Sequence, residues 1–130
     1  MEQHKKGYQI ESDRERHVLK LRLWGMWDTY LAHQFEHEVQ PKILDMEQQS
    51  PHGWSVMVNL SQFPPQFQDI QAIIKTVIQF EFAHGMHTGA TVVAKTMTQL
   101  QIKRLVDEVG GEPGSYFQSE DDAIRWLVGG

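Results

Sequence analysis

The sequence predicts an α/β domain built on an open mixed sheet of about five strands, in the order β-β-α-β-α-β-α-β-α. Three observations carry this. The hydrophobic period switches along the chain between two residues and about 3.6, the marks of strands and of amphipathic helices. The first two strand-like runs are joined by a short polar turn, so they form an antiparallel edge hairpin. Each later run is followed by a helix-length segment, and such βα units give parallel strands with right-handed crossovers.

Taken in order, Tyr8 and Ile10 alternate with Gln9 and Glu11, a strand with one wet face. Asp13-Arg14-Glu15-Arg16 is a polar turn, and Leu19, Leu21 and Leu23 then alternate with Lys20 and Arg22. Trp24-Gly25-Met26-Trp27 ends that strand, and Asp28 or Thr29 can cap the next helix. Leu31, Phe35 and Val39 set its apolar row toward Gln48, with a kink or break expected at Pro41, which lacks an N–H. Pro51-His52-Gly53 is a turn, and Trp54 to Val58 reads as a buried central strand.

Asn59 to Phe67, with two prolines and two phenylalanines, reads as irregular. Ile70, Ile73, Ile74, Val77 and Ile78 then share one helical face, with Gly85 as its left-handed terminator. Gly89 to Ala94 is a further buried strand. Thr98-Gln99-Leu100-Gln101 has capping-box spacing and opens a helix through Leu105 and Val109, broken by Gly110-Gly111. Tyr116-Phe117 is a brief strand, and Ser119-Glu120-Asp121-Asp122 starts a final helix carrying Ala123, Ile124, Trp126 and Leu127.

A chain of 130 residues fits one domain over 1–130, with 1–7 expected as a flexible N-terminal tail. The net charge of -5 and the scattered Lys and Arg argue against nucleic acid as a partner. Cysteine is absent, which removes disulfides and thiolate metal sites and permits a reducing compartment. No apolar run reaches the ~20 residues of a membrane-spanning helix, and the N-terminus leads into no signal core. The expected location is the cytoplasm.

The element order resembles that of the STAS domain of bacterial anti-sigma-factor antagonists and sulphate-transporter tails, from about Tyr8 onward. Gly25 after the second strand, the strand-end run Val58-Asn59-Leu60-Ser61, and the closing Ala123-Ile124-Arg125-Trp126-Leu127 are similar to its SpoIIAA-like branch. The resemblance implies a regulatory module that binds a protein partner and catalyses nothing. Its phosphoacceptor motif, Asp-Ser-Ser-Gly, falls on Phe67-Gln68-Asp69-Ile70 when Asn59-Leu60-Ser61 is set on the family's Asp-Leu-Ser. No hydroxyl stands there, although Ser61 lies upstream in the same loop.

His33-Gln34-Phe35-Glu36-His37 matches the pattern of inverted zinc peptidases. Both histidines lie roughly 200° from the Leu31-Phe35-Val39 row, so a solvated helix face is the expectation and a metal is not. His84 and His87 form a second pair, better read as a helix terminus. No phosphate loop or nucleophile elbow is present, so neither a cofactor nor a catalytic residue is expected.

Ligands of open α/β sheets bind outside the carboxyl ends of the parallel strands. That edge would gather Trp24, Trp27, Ser61, Phe63, Phe67 and Lys95, the candidate surface for a partner or ligand; the alternative is that its aromatics cap the core. Ala72, Thr76, Phe80 and Phe82 widen the apolar coverage of their helix, toward a neighbouring helix or a second copy of the chain. Two functions stay open: a non-catalytic interaction module, and a domain binding a small apolar molecule or lipid.

Overall fold

The computed structural model describes residues 5–129, in the expected order of elements. These are β1 (Gly7–Asp13), β2 (Val18–Trp24), α1 (Thr29–Gln49), β3 (Trp54–Gln62), α2 (Gln68–Ala83), β4 (Met86–Val92), α3 (Thr96–Glu108), β5 (Ser115–Phe117) and α4 (Glu120–Gly129). The five strands lie in sequence order across one sheet, β1 antiparallel to β2 and the rest parallel. The open mixed α/β sheet read from the sequence is the architecture.

Register assigns the faces. Leu21 lies beside Val58, Val58 beside Thr91, and Thr91 beside Tyr116, one row across four strands. Leu19, Leu21, Leu23, Val56 and Leu60 face α1 and α2, whose Phe35, Val39, Ile43, Ile70, Ile74 and Val77 complete the larger core. Each such side chain contributes about 1.5–3 kcal/mol on full burial. The opposite face buries Val18, Met57, Ala90 and Val92 against Ala123 of α4. Beyond α4 that face is polar, and Lys20 and Arg22 pair there with Glu11, Asp13 and Glu120.

Helix α2 is flanked by α1 and α3, and Phe80 and Phe82 pack at the margin of the core. Ala72 and Thr76 of the same helix are exposed. Two glycines are required by close approach. Gly25 sits at φ 81°, and a Cβ there would fall 2.0 Å from the Lys5 carbonyl. A Cβ on Gly114 would fall 1.9 Å from the Gly89 carbonyl, where the chain enters β5.

Several elements depart from expectation. No break occurs at Pro41; α1 runs through it. Pro41 is exposed, so water can satisfy the carbonyl it leaves unpaired, while Phe35, Val39, Ile43 and Met46 hold the helix to the sheet. The buried row also includes Ala32, with Leu31 at its margin. β3 continues to Gln62, because Asn59 pairs with both Arg22 and Val92 and Trp24 pairs with Gln62. The capping box at Thr98 is not used: α3 begins at Thr96, and the Thr98 hydroxyl instead donates to the Phe63 carbonyl at 2.8 Å. Of the tail expected over 1–7, residues 1–4 lie outside the described residues, Lys6 pairs with Asp28, and Gly7 opens β1.

Candidate functional site

The six residues predicted for the strand-end edge divide by burial. Trp27 and Phe63, at 3% and 2% exposure, are core. Trp27 meets Tyr8, Phe35 and Phe63 edge-on with ring centroids 6.0, 5.3 and 5.3 Å apart, and its indole N–H donates to the Trp24 and Gly7 carbonyls. These two therefore cannot line an outer surface. Trp24 is half-buried over Gly7, and Ser61 is half-buried. Phe67, at 68% exposure, and Lys95 are open to solvent.

A residue the sequence did not single out organises this edge. Gln66, buried in the Pro64-Pro65 loop, accepts from the Trp27 backbone N–H at 2.9 Å. Its amide donates to the Gly25 and Pro64 carbonyls, and its backbone N–H donates to Gln101 Oε1 of α3. Two connections and helix α3 are thereby fastened together. Around them Met26, Phe67, Met97 and Leu100 remain exposed. No periodicity marks a loop glutamine, so sequence reasoning had no handle on it.

The polar side of the strand ends is a closed network. Arg22 bonds both oxygens of Glu120 at 2.8 Å, and Asn59 Nδ2 donates to Glu120 Oε2 at 2.7 Å. The Arg22 hydrogen bonds hold the Glu120 carboxyl below its ordinary range, with Asn59 adding to them against the cost of burial. The Ser61 hydroxyl and backbone N–H both donate to Asn59 Oδ1, at 2.7 and 2.9 Å.

The most unusual feature lies inside. A cavity of about 80 Å³ separates the sheet from α2 and α3. Its floor is the row Leu21, Val58, Thr91 and Tyr116, with Gly89 beside it; its roof is Ile74, Val77, Ile102 and Val106. The space exists because β4 presents Gly89 and Thr91 where β3 presents two valines, and α3 leans chiefly on α2. Exposed Glu112 and half-buried Gly114 place its opening at the α3–β5 connection.

Into this apolar space projects Glu81, at 4% exposure and with Oε2 making no hydrogen bond. Burial raises its carboxyl from 4.5 to about 8, so it is mostly neutral at pH 7. A charge there would also oppose the dipole at the C-terminal turn of α2. The signal was present in the sequence: Glu81 continues the Ile70, Ile74, Val77, Ile78 stripe by one turn.

The histidine pairs lie elsewhere. His33 and His37 are exposed on α1, with His33 Nδ1 3.1 Å from Glu36. His84 Nδ1 lies 3.0 Å from Glu47, and the His84 carbonyl accepts the Trp54 indole N–H. Among the described residues no group of three or more His, Cys, Asp or Glu could hold a metal ion, and no helix is long and apolar enough to cross a membrane.

No family model matches the sequence, and no curated protein matches it. Among solved structures, the chain is similar to an uncharacterised DUF3478-family protein with a SpoIIAA-like fold from Shewanella loihica PV-4. The TM-score is 0.70 over 94% of each chain, at 11% identity. At that identity the likeness establishes the SpoIIAA-like fold and nothing finer.

Proposed function

We propose that this SpoIIAA-like domain is a non-catalytic binding module that takes a small apolar molecule into the cavity between the sheet and the α2–α3 layer. The observation that carries the reading is an apolar space of about 80 Å³ holding a buried carboxyl whose Oε2 is unpaired. Protein interiors normally close over such space, and buried polar groups normally find partners. Both departures coincide at one place, which is the usual condition of a ligand site. The walls offer no nucleophile–base pair, which favours binding over chemistry.

Xenon is the simplest probe, because apolar cavities admit it. Under xenon pressure the methyl resonances of Ile74, Val77, Ile102 and Val106 should shift together, and Val77→Phe should abolish the response. Native mass spectrometry of protein purified from its own cells should show a retained small molecule. Unmoved cavity methyls would sink the proposal.

A second reading keeps the regulatory role, with a protein partner docked on the strand-end edge. It is favoured by Met26, Phe67, Met97 and Leu100 standing exposed around the Gln66 network. Methionine-rich surfaces adapt readily to a partner. The informative variant is Phe67→Asp with Met97→Asp, since Phe63 is core. If a partner is captured equally by wild type and variant, this edge is not the docking surface.

A further inference from the structure

We infer, on the reading of the cavity as a ligand site, that Glu81 is its polar anchor and that the occupant is apolar except for one hydroxyl or carbonyl oxygen. Glu81 is the one ionisable side chain among the buried polar residues described, the others being Ser50, Ser55, Gln66, Thr91 and Thr98. Its Oε2 is also the one buried side-chain polar atom without a hydrogen bond among the described residues. The other polar groups of the wall are Thr91 on the floor and Tyr116 and Glu112 toward the opening. A ligand that enters past Glu112 therefore reaches Glu81 with an apolar body surrounded by Ile74, Val77, Ile102 and Val106.

The protonation state narrows the chemistry. A neutral carboxyl offers one O–H donor and one carbonyl acceptor. An alcohol can use both, and a ketone or aldehyde can accept the O–H. A pure hydrocarbon offers the acid neither donor nor acceptor and leaves Oε2 unpaired. An ammonium group would require both it and the carboxylate to be stripped of water between apolar walls, which favours a neutral oxygen group over a cation.

Toluene and benzyl alcohol form a matched probe pair, differing by one hydroxyl. Their dissociation constants would be measured by methyl NMR titration on wild type, Glu81→Gln and Glu81→Leu, with thermal unfolding to verify each fold. In wild type the affinity of benzyl alcohol relative to toluene should exceed that in Glu81→Leu by about tenfold, the worth of a buried hydrogen bond. Glu81→Gln, which keeps a donor and an acceptor, should retain much of that preference. Equal ratios in wild type and Glu81→Leu would overturn the role of Glu81 while leaving the cavity reading intact. If neither probe shifts the cavity methyls at millimolar concentration, the ligand site itself is refuted and the anchor with it.

Discussion

Replacing Glu81 by Gln tests the burial of its carboxyl independently of any ligand. Gln has nearly the shape of a neutral Glu but cannot ionise, so the two proteins should differ in how stability responds to pH. The native carboxyl titrates near 8, against an ordinary value of 4.5. Between those values the native protein holds a proton that the unfolded chain has released, so wild-type stability falls as pH rises. The contribution is complete below about pH 4.5, declines by about 1.4 kcal/mol per pH unit, and stops declining above about pH 8. Over the interval to pH 7 the loss is about 3 kcal/mol. Other groups titrate alike in both proteins, so the difference between wild type and Glu81→Gln isolates this one. Urea unfolding followed by circular dichroism from about pH 5 to about pH 8.5 provides the measurement. Near pH 5 the two should agree within about 1 kcal/mol, and at pH 7 the Gln variant should be more stable by roughly 3 kcal/mol. Parallel curves would mean that water or a partner reaches the carboxyl in solution, and the reasoning from burial would fail.

The remaining predictions concern the scaffold. Gln66→Ala removes the acceptor for the buried Trp27 N–H and the donor to Gly25, so a loss of about 2–3 kcal/mol is expected by urea denaturation. Trp27→Ala should lose about 3–5 kcal/mol and Phe67→Ala less than about 0.5 kcal/mol, a contrast that separates core from surface at the same edge. Gly114→Ala should cost about 2 kcal/mol or more, because its Cβ meets the Gly89 carbonyl, and hydrogen exchange should quicken in β5 before the rest of the sheet. Arg22→Met takes both Arg22 hydrogen bonds from the Glu120 carboxylate, leaving it the Asn59 bond, and should destabilise by about 2 kcal/mol at neutral pH. Since the Glu120 carboxyl is held low, that deficit should shrink as pH falls below about 4.5, as thermal unfolding would record.

Much of this protein is decided locally. Alternation at Leu19, Leu21 and Leu23, the stripe from Ile70 to Ile78, and the breakers Gly53, Gly85 and Gly110 set strands, helices and their order, because period and backbone freedom are properties of neighbouring residues. Two βα signals in a row also imply parallel pairing, so the sheet was legible. The edge was legible as a place but not as a surface. Trp27 and Phe63 share the composition of an exposed aromatic pair, and only their convergence with Tyr8 and Phe35, from four separate segments, makes them core.

The cavity lay further out of reach. It depends on Gly89 and Thr91 facing α3 and on α3 leaning toward α2, relations among strands and helices far apart in sequence. Glu81 stood in plain view at the end of an apolar stripe, where its face was fixed by helical period alone. Its unpaired state was decided by tertiary structure, since whether a buried carboxyl finds a partner depends on what other elements bring to it, and here they bring largely apolar walls and no hydrogen bond to Oε2.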